Sequence, residues 1–171
     1  MGVSIKIMTM LPEHLTRVAQ IYKEGIDTGM ATFEKNVPTW EDWDNNHLKS
    51  CRIIAVMKDE LAGWAALSPV SSRCVYGGVA EVSVYVSKRF RGNKIGQKLL
   101  KELVIESEKN GFWTIQSGVF PENTASIKLH VKAGFRQIGY REKIGQLDGI
   151  WKDNILLERR NKITENKTIK L

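Results

Sequence analysis

The sequence predicts a mixed α/β layer fold built on a single sheet, and three observations carry that expectation. Stretches of apolar period two alternate with stretches of helical period in the order β-α-α-β-β-β-α-β-α-β-β. Gly, Pro and Asn clusters separate them. No internal repeat or low-complexity linker divides the 171 residues, which suffice for one core without disulfide staples. One domain is expected over residues 1–158, followed by a basic, flexible tail at 159–171.

Taken in order, Val3 to Met8 alternates as a first strand. Pro12 then stands where a helix begins, leading into Leu15, Val18, Ala19, Ile21 and Tyr22 at helical spacing and ending near Gly25 to Gly29. A loop over residues 30–38 precedes Thr39, a cap for a short helix holding Trp40 and Trp43. Arg52 to Met57 and Leu61 to Ser68 are strands joined as a hairpin through Lys58-Asp59-Glu60. After Gly77-Gly78 comes the strand around Glu81, then a helix from Ile95 to Lys109 with Leu99, Leu100, Leu103 and Val104 on one face and Gly111 as its stop. Trp113 to Val119 is a strand. Residues 121–126 start a helix closed by Gly134, and the last two strands, Phe135 to Lys143 and Ile150 to Glu158, are separated by Gly145 to Gly149.

Composition narrows the classes. Cys51 and Cys74 form neither a disulfide framework nor a metal-ligand pattern. No apolar run is long enough to span a membrane and no secretory leader is visible, so the cytoplasm is the expected compartment. The formal charge of +7 is uneven: Lys88, Arg89, Arg91, Lys94, Lys98 and Lys101 fall within fourteen positions that contain no acidic residue. Five more cations, Arg159, Arg160, Lys162, Lys167 and Lys170, lie in the last thirteen residues and read as solvated charge. A nucleic-acid module would interleave aromatics with its cations. Here the tryptophans are scattered over the chain.

The central cationic run has a better explanation. Val79 to Val86 is a strand, Arg91-Gly92-Asn93-Lys94-Ile95-Gly96 is a basic glycine-containing turn, and Gln97 lies in the opening of the next helix. Such a turn aims backbone N–H groups and a positive helix terminus at one point, which suits a phosphate. It is neither a P-loop nor a dinucleotide fingerprint. In the strand, Val82, Val84 and Val86 share one face and Glu81, Ser83 and Tyr85 the other, unless a bulge near Ser83 to Tyr85 shifts the alternation.

The turn, read as Arg91-x-x-Lys94-x-Gly96, resembles the acetyl-CoA turn of the GNAT superfamily of N-acetyltransferases, with Lys94 in place of the usual central glycine. Asn123-x-x-Ser126 followed by His130-x-x-x-Gly134-Phe135 resembles that superfamily's second segment, although each residue alone is equally well a helix start or a core histidine. Thr32-Phe33-Glu34, Glu81 to Val86, Leu129-His130 and Trp151-Lys152-Asp153 are similar to a narrower branch, the phosphinothricin and methionine sulfone/sulfoximine acetyltransferases. The resemblance implies a mostly antiparallel central sheet flanked by helices. It also implies a homodimer with no metal, transferring acetyl from acetyl-CoA to the α-amine of a small amino-acid analogue.

Residue by residue, the resemblance makes Glu81 the general base and ammonium-holding group, against a plain surface glutamate. His130 becomes a proton donor to the departing thiolate or an orienting group, with Tyr85 a weaker donor. Backbone amides of Val84, Tyr85 and Val86 would hold the oxyanion and the pantetheine arm, Gly92, Asn93, Lys94, Ile95, Gly96 and Gln97 the pyrophosphate, Arg91 and Lys94 charge, and Asn123 with Ser126 the far side of the arm. Arg73 would bind the acceptor's carboxylate, with Ser83, Phe33 and Glu34 walling its pocket. Lys94 must either keep a negative φ or tolerate strain. The alternatives are another amine (polyamine, aminoglycoside or protein N-terminus), a non-catalytic acyl-CoA binder, or a nucleic-acid-binding protein.

Overall fold

The strands alternate as expected, but apolar residues line both of their faces. The computed structural model describes residues 4–161. It contains β1 (Ile5–Thr9), α1 (Leu15–Ile26), α2 (Trp40–Asn46), β2 (Ile53–Met57), β3 (Glu60–Pro69), β4 (Val79–Val86), α3 (Ile95–Lys109), β5 (Thr114–Val119), α4 (Thr124–Lys132), β6 (Arg136–Leu147) and β7 (Ile150–Arg160). The element order matches the expected one. Pro12–His14, Cys74–Tyr76 and Lys88–Phe90 add single 3-10 turns, so the α-helix itself starts at Leu15 rather than at Pro12.

The sheet order is β1-β2-β3-β4-β5-β7-β6, and only β4 and β5 run parallel. On one face α3 buries Ile95, Leu99, Leu100 and Leu103 against Ile53, Ala55, Ala65, Leu67 and Val82. On the other, Val18 and Ile21 of α1 and Trp43 of α2 pack on Ile54, Trp64 and Ala66. Alternate residues of β2 and β3 thus enter opposite cores, which is why these strands read as nearly continuous apolar runs. The β2–β3 turn places Lys58 and Asp59 at φ of 54° and 60°, the pair of positive values that a two-residue hairpin loop needs to match strand twist.

Departures from expectation concern the end of one strand and two cations near the turn. β7 runs through Arg160, and Arg159 donates to Glu108 at 2.9 Å while buried Asn161 bonds Ser107 and the Phe112 carbonyl. Arg159 and Arg160 therefore belong to the sheet, and the remainder of the expected tail, 162–171, lies outside the described residues. Arg89, one of the six cations grouped around the turn in the sequence, is held by both carboxylate oxygens of Glu60. Lys98 donates to the carbonyl of Ile5.

Candidate active site

β4 and β5 pair only over Val79↔Thr114, Ala80↔Ile115 and Glu81↔Gln116, and then diverge. β4 stays paired to β3 on its other edge as far as Val86↔Gly63. Just beyond, Ser87 N–H donates to the Ala62 carbonyl at 2.8 Å. By the alternation of an antiparallel strand, the N–H and C=O groups of Ser83 and Tyr85 then face β3, while those of Val82, Val84 and Val86 face the gap. The amides of Val84 and Val86 have no ladder partner in β5, and Glu81 stands at the apex of the opening. A cleft of about 790 Å³ fills this V and continues over the sheet between α1, the 30–34 loop, α4 and the β6–β7 hairpin.

α1 holds the β4 end of the V in place. Glu24 accepts from the Lys88 N–H at 2.5 Å and from buried Ser87 Oγ at 3.3 Å, and Arg17 donates to that same hydroxyl at 3.1 Å. Next to Glu24 in α1, Gly25 lies flat against the Tyr85 ring, where a Cβ would come within 2.6 Å of two ring carbons. The expected polar row Glu81, Ser83, Tyr85 is therefore only partly solvent-facing. Tyr85 stacks on Trp64 at 4.9 Å and meets Tyr22 edge-on, and burial pushes its phenol far above the ordinary value.

The turn after β4 has the anion-binding construction read from the sequence. Lys98 N–H donating to Lys94 C=O at 3.1 Å is the first backbone bond at the start of α3, so Ile95, Gly96 and Gln97 present free N–H groups. Gly92 takes φ of 83° and Lys94 φ of 62°. Lys94 thus adopts the left-handed conformation that favours glycine, and the strain alternative holds, at a cost of about 1–2 kcal/mol. Asn93 uses its side-chain amide to bond the carbonyls of Phe90 and Arg91, shaping the turn from within. Gly96 allows close packing, since a Cβ there would sit 3.3 Å from Leu129 and 3.6 Å from Val86. Arg91 lines the cleft.

Opposite this turn, α4 supplies His130 and Ser126. His130 is 3 % exposed; its Nδ1 lies 2.8 Å from the Ser126 carbonyl, so Nδ1 carries the proton and Nε2 is left as a bare acceptor without a partner. Burial holds the imidazole below its ordinary pKa, hence neutral. With the Nδ1 proton directed at the Ser126 carbonyl, the ring offers Nε2 as a hydrogen-bond acceptor. Asn123 is a structural cap: Oδ1 accepts from Ser126 N–H at 3.2 Å, and Nδ2 donates to the Met30 carbonyl at 3.2 Å, tying α4 to the 30–34 loop.

At the other end of the cleft, Gln116 Nε2 donates to Glu81 at 3.3 Å. Phe33 packs edge-on against Phe120 at 4.7 Å and lies over Gly145, where a Cβ would come within 2.9 Å of its ring. Phe33 is thus a wall of the cleft, with Glu34, Ser83, Tyr22 and Thr32 around it. Arg73 is not brought to the site: it sits on an exposed loop with its guanidinium 5.6 Å over the Tyr76 ring, outside the residues that line the cleft. The 3-10 turn at Cys74–Tyr76 folds that ring back under it. Sequence reasoning missed Arg141 and Asn154, which do line the cleft. Their only sequence signal, a shared hairpin register, depends on bulges that periodicity does not reveal. His47, also lining the cleft, stacks on Trp43 at 3.9 Å and is likewise depressed by burial.

The sequence pattern of the Acetyltransferase (GNAT) family matches residues 17–135. The chain belongs to the GNAT acetyltransferases. Among relatives, a protein provisionally named phosphinothricin acetyltransferase, YwnH of Bacillus subtilis (strain 168), is 33% identical, covering 81% of this chain and 90% of its own. The L-methionine sulfoximine/L-methionine sulfone acetyltransferase of Pseudomonas aeruginosa is 26% identical, covering 81% and 84%. A crystal structure of a GNAT superfamily phosphinothricin acetyltransferase from Sinorhizobium meliloti in complex with AcCoA superposes with a TM-score of 0.83 at 26% identity, covering 98% of this chain and 93% of the other.

This acetyltransferase is an acetyl-CoA-dependent N-acetyltransferase, and its own residues fit that co-substrate. The free amides at the start of α3, with Arg91 and Lys94 in the same turn, would suit a pyrophosphate. An amide-bearing arm can add to the unpaired edge of β4 as an extra strand. Among the described residues no cluster of side chains could hold a metal ion, and no helix is long and apolar enough to cross a membrane.

Proposed function

We propose that the acetyltransferase acylates the α-amine of a small amino-acid analogue of the phosphinothricin or methionine sulfone type, with Glu81 as general base. The observation that carries this reading is the position of Glu81 at the apex of the β4–β5 divergence, where the free strand edge begins. An α-ammonium is largely protonated at neutral pH and attacks a thioester only as the free base. Glu81, directly or through one water, takes that proton; nitrogen attacks the acyl carbon; and the amides of Val84 and Val86 stabilise the oxyanion. The C–S bond then breaks, and the second proton of the acylated nitrogen passes through solvent to the departing coenzyme A thiolate, whose basicity is modest. His130 Nε2 accepts a hydrogen bond from the arm or from a water at the sulfur, and so orients it. The names and acceptors of the relatives support the substrate class.

A homodimer is part of the same reading. Ile138, Tyr140 and Ile144 of the edge strand β6, with Ile150 and Trp151 of β7, are exposed hydrophobic residues on one hairpin, a surface that a second copy would cover.

The test is thiol release from acetyl-CoA with methionine sulfone or phosphinothricin. Glu81→Gln is expected to lose about 10²- to 10⁴-fold in kcat with little change in calorimetric acetyl-CoA affinity. Undiminished turnover in that variant rejects Glu81 as the base.

A further inference from the structure

The two residues that line the acceptor end without a job belong to the β6–β7 hairpin. Arg141 and Asn154 are direct cross-strand neighbours, so their side chains leave the same face of the hairpin, and both reach the cleft. Ile155, the next residue of β7, is buried in the α3-side core, which puts Asn154 on the opposite face, toward the 30–34 loop.

Each carries an unmet valence. Arg141 has no carboxylate within ion-pair distance among the described residues, whereas Arg136 on the same strand is paired with Glu158 at 2.8 Å. Besides Arg91, which belongs to the phosphate turn, Arg141 is the one arginine or lysine lining the cleft among the described residues, and it faces a region that otherwise offers Glu34 and Glu81. Asn154 Oδ1 is buried with no hydrogen-bond partner. Room for that amide comes from Gly118 on β5: a Cβ there would lie 2.9 Å from both Asn154 Oδ1 and Nδ2. A buried carbonyl oxygen without a donor costs stability unless a ligand completes it.

We propose that this pair is the specificity site for the acceptor's head group. Arg141 takes the carboxylate through its two-pronged guanidinium, and Asn154 Oδ1 accepts one N–H of the same molecule's amine, leaving another N–H for Glu81. A protein N-terminus or a polyamine offers no α-carboxylate to this site. The inference rests on the proposed acylation of a carboxylated amine and adds which residues select it, a role that Arg73 does not fill from its place over Tyr76.

The experiment compares methionine sulfone with the amine obtained by removing its carboxyl group, using wild type, Arg141→Gln, Arg141→Lys and Asn154→Leu. Thiol release gives kcat and KM, and acetyl-CoA affinity is followed by calorimetry, which also reports that each variant is native. Arg141→Gln is expected to lose about ten- to a hundredfold in kcat/KM for methionine sulfone, mostly through KM, with the decarboxylated amine and acetyl-CoA unaffected, and Arg141→Lys to recover part of the loss. Asn154→Leu is expected to lose several-fold with both acceptors. Equal losses for both acceptors in Arg141→Gln, weakened acetyl-CoA binding, or no change at all would each overturn the proposal while the acetyltransferase reading stands. If wild type accepts neither compound, or the decarboxylated amine alone, the underlying reading fails instead.

Discussion

Replacing Lys94 tests the strained turn directly. Lys94 holds φ of 62° and ψ of 15° at the start of α3 and makes no side-chain capping bond, so glycine there removes no cap. A side chain in the left-handed region costs about 1–2 kcal/mol, and the extra freedom of glycine in the unfolded chain returns about 0.5–1 kcal/mol of that. Lys94→Gly should therefore be more stable than Lys94→Ala by about 0.5–1 kcal/mol, or roughly 1–4 °C in Tm for a domain of this size. The alanine variant keeps the strain and drops the charge, while the glycine variant drops both. Both should bind acetyl-CoA only a few-fold more weakly, because an exposed cation beside a phosphate is worth less than about 1 kcal/mol, and both should show a reduced salt dependence. Thermal unfolding and calorimetry of the three proteins decide the matter. A glycine variant less stable than the alanine one would mean that residue 94 does not adopt a positive φ. A loss of binding by a hundredfold in Lys94→Ala would mean that charge, not the backbone amides, grips the phosphates.

Three further expectations concern pH, the acceptor wall and assembly. His130 and His47 are both held below their ordinary pKa of 6.5 by burial, so the unfolded chain takes up their protons first, and stability is full above about pH 6.5 and falls as pH drops below it. The slope is at most about 1.4 kcal/mol per pH unit for each ring, and urea titrations across pH 5.5–7.5 should show it shallower in His130→Gln; an unchanged slope would contradict the buried neutral ring. Gly145→Ala should push the Phe33 ring from the position it now occupies within 2.9 Å of the new methyl, raising the acceptor KM several-fold without altering acetyl-CoA affinity. Sedimentation should find a dimer in wild type and a monomer when Ile138 and Trp151, both exposed, are replaced together by glutamate.

The order of the elements was legible because each period is local: α1 buries Val18, Ile21 and Gly25 at helical spacing, and α3 buries Ile95, Leu99, Leu100 and Leu103. The phosphate turn was legible because its construction lies within a dozen consecutive residues. The acceptor end was not. Periodicity says that Glu81, Ser83 and Tyr85 share a face, but not that Trp64 and Tyr22 cover that face at Tyr85. Nor does it say that β4 and β5 run parallel for three pairs and then part. Arg73 stands near the strand in sequence and away from the cleft in space, while Arg141 and Asn154 reach the cleft through a hairpin whose register shifts twice.

These two halves also differ in what holds them. The coenzyme end depends on backbone groups whose orientation is set by α1: the Glu24, Ser87 and Arg17 contacts fix the chain leaving β4, and the Gly25–Tyr85 contact fixes the strand itself. With β4 pinned on that side and paired to β3 on its edge, it cannot relax toward β5 to satisfy Val84 and Val86, so their amides stay available to the substrate. The acceptor end depends on side chains from a loop and a hairpin, joined through Phe33 over Gly145 and the Lys35–Asp148 ion pair. Side chains can be exchanged without disturbing the sheet. Acceptor choice is therefore free to change in this architecture while the amides that bind the coenzyme remain as they are.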